Sequence, residues 1–78
     1  MDFEYPVIDK KKLGSTLKRY MQERGLTARD VQEYLGLACV QTVYRWTAGI
    51  SIPTGDNLYA LSRLMNISID ALVGSKSN

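Results

Sequence analysis

The stretch that most constrains the fold is residues 27–49, which predicts two short helices joined by a tight turn. Thr27 is a suitable N-cap for the first helix, because its hydroxyl can accept hydrogen bonds from the backbone N–H groups at a helix start. We expect that helix to span Ala28–Leu35. Gly36 predicts its end, since glycine adopts the left-handed conformation of a helix terminus at little cost.

The second helix of this stretch has two unlike faces. We expect it to begin near Ala38 or Cys39, to run to Ala48 and to be closed by Gly49. At about 100° per residue, the arc suited to a core contains Cys39, Val40, Val43, Trp46 and Thr47. The opposite arc contains Gln41, Thr42, Tyr44, Arg45 and Ala48. Its amide, hydroxyl, phenol and guanidinium groups are those that can read base edges in a major groove, so the pair of helices is typical of a helix-turn-helix.

The composition predicts one small soluble domain without enzymatic chemistry. The 78 residues are 45% hydrophobic, which is enough for a core and argues against disorder. No apolar run is long enough to span a membrane and no signal segment opens the chain, so we expect a cytoplasmic protein. One cysteine and no histidine leave the usual zinc sites and catalytic triads incomplete. We therefore expect no catalytic residue, metal, cofactor or small-molecule ligand.

The charges are distributed unevenly along the chain. The net charge is only +2, which is a weaker signal than most nucleic-acid-binding domains give. However, no acidic residue lies between Glu33 and Asp56, and the second helix of the central stretch falls inside that interval. Chance in a small protein explains such a gap, and so does the removal of repulsion from DNA phosphates.

The chain outside the central stretch divides into an arm, the remainder of one domain and a tail. Residues 1–9 alternate roughly between apolar and polar types around Pro6, which suggests an extended arm. This arm either covers apolar surface of its own domain or pairs with a second subunit. We expect one helix-turn-helix domain over residues 10–74 and a polar tail over residues 75–78.

A longer helix is predicted before the central stretch. Asp9 is a candidate N-cap, and apolar residues recur at helical spacing as far as Arg24. The three lysines at positions 10–12 oppose the dipole of a helix that begins there. Either the helix begins later, near Ser15, or the lysines contact phosphates, or they form a solvated charge run.

Two helices are predicted after the central stretch. Thr54 caps the first, which runs to about Asn66 and has an apolar face of Leu58, Leu61, Leu64 and Met65. Ser68 caps a last short helix that ends at Val73 and Gly74. We expect the core to be closed by Ile67, Ile69 and Leu72. The fold class predicted from these patterns is all-α, with five short helices.

From about Leu13 to Gly74, the ordered set of residues resembles the Cro/repressor-like, or XRE-type, helix-turn-helix family. The matching residues are Leu13, Gly14, Leu17, Gly25, Leu26, Thr27, Leu35, Gly36, Thr42, Val43, Arg45, Trp46, Gly49, Pro53, Thr54, Leu58, Leu61, Ser68, Asp70 and Leu72. The chain departs from the family pattern in four places. It is one residue longer between Gly36 and Val43, Gln32 replaces a small alanine, Thr47 replaces a glutamate after the tryptophan, and the loop at 50–52 lacks basic residues.

The resemblance implies a compact five-helix, lambda repressor-like domain. It implies a bacterial or phage transcriptional regulator, such as a repressor, that binds double-stranded DNA and is commonly a dimer. It implies that the third helix reads bases through Val40, Gln41, Thr42, Tyr44 and Arg45. It implies contacts with the DNA backbone from Thr27, Arg29, Thr47, Ser51 and Asn57. Trp46 occupies a position that is mainly structural in the family.

Three alternatives remain open at this point. The same fold also suits a protein-interaction module with little DNA affinity, and Tyr44 suits a protein partner as well as it suits DNA. A homodimer would have to form through the arm, the last helices or the DNA itself. Cys39 is expected to be a buried or half-buried apolar residue, with redox sensing as a minor alternative.

Overall fold

The computed structural model describes residues 7–74, which form five α-helices and no strand. The helices are α1 (Lys10–Glu23), α2 (Ala28–Leu35), α3 (Gln41–Thr47), α4 (Gly55–Met65) and α5 (Ile69–Leu72). The predicted all-α fold of five helices is confirmed. Residues 1–6 and 75–78, which include most of the predicted arm and the tail, lie outside the described residues.

Four helices begin at the side-chain caps that the sequence predicts. The Asp9 carboxylate accepts hydrogen bonds from two backbone N–H groups of the first turn of α1, at 3.0 and 3.2 Å. Because this carboxylate satisfies the helix start and offsets the nearby cations, α1 begins at Lys10, and the alternative start near Ser15 is wrong. The caps of α2, α4 and α5 are Thr27, Thr54 and Ser68.

The start of α3 differs from the prediction. The helix begins at Gln41, two or three residues later than expected, and ends at Thr47, followed by its C-cap Ala48. The N-cap is Val40, which makes no side-chain cap hydrogen bond. Valine gives no capping signal, so the sequence pattern did not mark this boundary.

The core is formed by one face of each helix. Its buried residues are Leu13, Leu17, Met21, Val31, Val43, Trp46, Leu58, Leu61, Met65 and Leu72. Most of them were expected from their helical spacing. Ile69, which was expected to close the core, is 40% exposed, whereas Leu72 is fully buried. α5 is a single turn of four residues, and Leu72 is its one buried residue.

A glycine brings α1 against the end of α3. A Cβ atom on Gly14 would lie 2.5 Å from the carbonyl oxygen of Trp46 and 2.9 Å from that of Thr47. No residue with a side chain fits this approach without a shift of the backbone. The packing therefore fixes the C-terminal end of α3 relative to α1.

The ends of α1 and α4 are joined by an arginine. Nε of Arg24 donates to the carbonyl oxygen of Met65 at 2.6 Å, and its guanidinium lies 4.9 Å from the centre of the Tyr20 ring.

Among residues 7–74, no helix is long and apolar enough to cross a membrane.

Candidate nucleic-acid interface

The start of α2 is held by a reciprocal pair of hydrogen bonds. The backbone N–H of Asp30 donates to Oγ1 of Thr27 at 3.1 Å, and the backbone N–H of Thr27 donates to Oδ2 of Asp30 at 2.8 Å. The bonds from the Thr27 backbone and then from its side chain lower the pKa of the exposed Asp30 carboxyl. Oγ1 of Thr27 accepts from the Asp30 backbone, and its hydroxyl must leave the Asp30 carboxylate before it can donate to a phosphate oxygen. Arg29, the second backbone candidate on this helix, is also exposed.

The exposed face of α3 is formed by Gln41, Tyr44 and Arg45. These residues have the i, i+3, i+4 spacing that places side chains on one side of a helix. The opposite side of α3 is anchored in the core by Val43, which is fully buried, and Trp46, which is 3% exposed. The predicted division of this helix into a core face and a polar face is therefore correct for these five residues, whereas Thr42 and Thr47 are both half-buried.

The division does not extend to the residues before Gln41. Cys39, which was expected to be buried or half-buried, is exposed, because residues 36–40 form a turn and the helical register does not apply to them. Val40 and Thr42 are half-buried, at the N-cap and in the first turn of α3. In the turn at 36–40, Nε2 of Gln32 donates to the carbonyl oxygen of Leu37 at 3.2 Å.

The exposed thiol of Cys39 lies beside the first turn of α3. Its Sγ lies 3.6 Å from Oγ1 of Thr42. Hydrogen bonds from the Thr42 side chain and then from its backbone lower the pKa of the Cys39 thiol. The thiol and its partner lie directly beside the Gln41 end of the exposed face.

The other backbone candidates differ in their free hydrogen-bonding groups. Oγ1 of Thr47 donates to the carbonyl oxygen of Tyr44 at 3.2 Å, so a bond from this hydroxyl to a phosphate requires it to rotate away. The backbone N–H of Asn57 lies 3.4 Å from Oγ1 of Thr54. The Asn57 side-chain amide makes no hydrogen bond with any of residues 7–74. Thr47, Ser51 and Asn57 are all half-buried.

A groove of about 300 Å³ lies between α1, the start of α2 and α3. Its lining consists of Lys18, Met21, Gln22, Leu26, Ala28, Tyr44 and Thr47. Lys18 and Gln22 were not among the site residues expected from the sequence. Their four-residue spacing beside the buried Met21 marks a polar edge of α1, but only the packing of α1 on α3 brings that edge next to Tyr44.

The family model that matches this chain is described as helix-turn-helix, and it covers residues 17–72. The chain belongs to the XRE-type helix-turn-helix family. This confirms the resemblance expected from the sequence. Comparison with curated proteins gave no match, and comparison with solved structures gave none.

As an XRE-type helix-turn-helix protein, the chain is a regulator that binds double-stranded DNA. Its family consists of DNA-binding regulatory domains and is not an enzyme family. The charges of the described helices agree with such a partner. The two ion pairs found among residues 7–74 involve Arg19 and Arg24 with Glu23. Arg29 and Arg45 take part in neither. No cluster of potential metal ligands occurs in the same part of the chain.

Proposed function

We propose that this protein is a sequence-specific transcriptional regulator, of the repressor type found in bacteria and phages, that reads the major groove with α3. The observation that carries the proposal is the exposed face of Gln41, Tyr44 and Arg45 on a helix whose opposite side is anchored by Val43 and Trp46. A helix held in this way can present side chains to bases without moving relative to the domain.

The chemistry of this face supports distinct roles for its residues. The Gln41 amide can form a bidentate contact with adenine, and the Arg45 guanidinium can do so with guanine or can clamp a phosphate. Tyr44 can contact a thymine methyl group or donate to a phosphate. Val40 and Thr42 are less exposed and supply apolar or hydroxyl contacts at the start of the helix.

The backbone contacts are proposed to flank this face. Thr27 and Arg29 would meet phosphates at the start of α2, where the helix dipole also favours an anion. Thr47, Ser51 and Asn57 would meet the backbone beyond the end of α3. Such contacts set the position of the protein on the duplex, whereas base contacts set sequence preference.

The test compares a base-reading variant with a backbone-contact variant on duplexes selected from a random library. Gln41→Ala should relax the preference at one base pair and weaken binding to the selected site by about 1–3 kcal/mol. Arg29→Gln should instead weaken binding to all sequences similarly and lower the salt slope by about 1. If Gln41→Ala retains the parent's preference at every position, the assignment of Gln41 to base reading is wrong.

The selection also tests a dimer. We propose that two copies bind together, because one small domain with few cations at its face gains affinity from a second half-site. A recovered palindrome with half-sites about 34–36 Å apart supports this arrangement. Recovery of a single half-site contradicts it.

A second candidate function is a protein-interaction module with little DNA affinity. It is favoured by exposed apolar groups after α3, where Ile50 is 53% and Ile52 37% exposed, and by Tyr44, which is 56% exposed. No charged residue lies between Arg45 and Asp56. The two functions differ at low salt, where counterion release favours DNA binding most. A folded protein that enriches no duplex there supports the interaction module.

A further inference from the structure

Three lysines stand at the start of α1, where they do not favour the helix. The first turn contains Lys10, Lys11 and Lys12, and cations at this end of a helix are unfavourable because they oppose the helix dipole. The backbone N–H groups of Lys11 and Lys12 already donate to the Asp9 carboxylate. Neither capping nor the helix dipole therefore accounts for the presence of three lysine side chains in this turn.

The packing of α1 separates two of these lysines. A Cβ atom on Gly49 would lie 3.0 Å from both Cα and Cγ of Lys11, so the Lys11 stem leaves α1 over the end of α3. A Cβ atom on Gly74 would lie 2.8 Å from Cγ of Lys12, so the Lys12 stem runs over the end of α5 instead. This divergence follows from the turn of about 100° between successive residues of a helix. Both side chains are exposed.

The surface under the Lys11 stem has no cation of its own. The ten residues from Trp46 to Gly55 include no charged side chain, although they contain the end of α3 and the loop with Ser51. Lys11 brings a cation of α1 to this surface at Gly49, next to the loop proposed to meet the DNA backbone, whereas Lys18 of α1 lies further along, beside Thr47. A flexible ammonium at that edge suits a phosphate, which it can approach as a point charge without a fixed orientation.

We infer that Lys11 is a phosphate contact supplied by α1 to the DNA flanking the base-reading helix, and that Lys12 is not. This inference rests on the proposed function, since it assigns a further residue to the same interface. It adds a third element, the first turn of α1, to a surface otherwise formed by α2, α3 and the loop after α3. Lys11 sets affinity and position and does not select bases.

The test measures binding of the parent, Lys11→Gln and Lys12→Gln to a duplex selected by the parent, across a series of salt concentrations. Glutamine keeps most of the stem that packs on the glycine and removes only the charge. Loss of one phosphate contact should lower the slope of log K against log salt by about 0.9, which is about an eightfold loss of affinity at 0.1 M salt relative to 1 M. We expect this change for Lys11→Gln, and a slope close to the parent's for Lys12→Gln.

Two controls separate the possible failures. Lys11→Arg should retain the parent's slope, and the base preference of Lys11→Gln should match the parent's, unlike that of Gln41→Ala. Equal slopes for Lys11→Gln and Lys12→Gln, with the parent still selecting a site, overturn the assignment of Lys11 alone, because two equal losses indicate only the net charge. If the folded parent selects no duplex at low salt, the proposed function falls and the Lys11 contact falls with it.

Discussion

Replacement of Gly14 by alanine should destabilise the protein, although the same change usually stabilises a helix. Gly14 is the fifth residue of α1, and alanine there would gain about 1 kcal/mol in helix propensity. The new Cβ would lie 2.5 Å from the carbonyl oxygen of Trp46, against the 3.4 Å at which ordinary contact begins. The two helices would have to separate by about 0.9 Å, the difference between those distances.

The size of the effect follows from what blocks the new methyl group. Overpacking by one methyl or methylene group costs about 1–3 kcal/mol, and the upper part of this range applies because both obstacles are backbone oxygens of α3. After the gain in propensity, we expect a net loss of about 2 kcal/mol. At about 0.05–0.15 kcal/mol per residue, a domain of this size has about 4–12 kcal/mol in total, so the loss is a large fraction of it.

Urea unfolding followed by circular dichroism measures this loss, with Gly55→Ala as the matched control. Gly55 is the first residue of α4, and a Cβ atom there would have no neighbour within 4 Å. Alanine at this position should stabilise the protein by about 0.4–1 kcal/mol. If Gly14→Ala shifts the urea midpoint upward as Gly55→Ala does, with an unchanged m-value, α1 and α3 are not in the close contact described here.

Three further predictions follow from local contacts. In urea titrations, Arg24→Ala should lower the free energy of unfolding by about 1 kcal/mol more than Arg19→Ala does. Both guanidiniums lie over the Tyr20 ring, but only that of Arg24 donates to the end of α4. Equal losses for the two variants would contradict a stabilising role of that hydrogen bond. The lowered pKa of Asp30 means that its capping contribution is present above the ordinary pKa of an aspartate carboxyl and is lost as pH falls through the lower folded value. The stability difference between the parent and Asp30→Asn should therefore shrink in that acid range, and a difference that is constant with pH would refute this. Thr42→Val should raise the pKa of the Cys39 thiol, so that its alkylation rate rises at higher pH than in the parent; an unchanged pH profile would show that Thr42 does not lower it.

Helix boundaries could be predicted from the sequence wherever a side chain performs the capping. Asp9, Thr27, Thr54 and Ser68 each accept a backbone hydrogen bond at the predicted helix start. The signal is local, because the capping residue and its partner lie two or three positions apart. At Val40 no side chain caps the helix, so the start of α3 had no marker and the prediction placed it too early.

The same boundary decided which residues in and next to α3 were described correctly. Gln41, Tyr44 and Arg45 lie within α3, and their predicted exposure is confirmed. Cys39 was assigned to the core by a helical register that begins only after it. Lys18 and Gln22 were missed for a different reason, since their place beside Tyr44 depends on the packing of α1 on α3. Periodicity along one helix does not contain that information.

The proposed reading helix therefore depends on residues that do not face the DNA. With seven residues and no N-terminal side-chain cap, α3 is too short to be stable in isolation. Its position is set by Val43 and Trp46 in the core and by the contact of its last turn with Gly14. A shift of that contact would move the whole exposed face of α3 relative to α2 and the loop that follows α3. Sequence preference should accordingly be sensitive to the fit between α1 and α3, even though no Gly14 atom is proposed to touch a base.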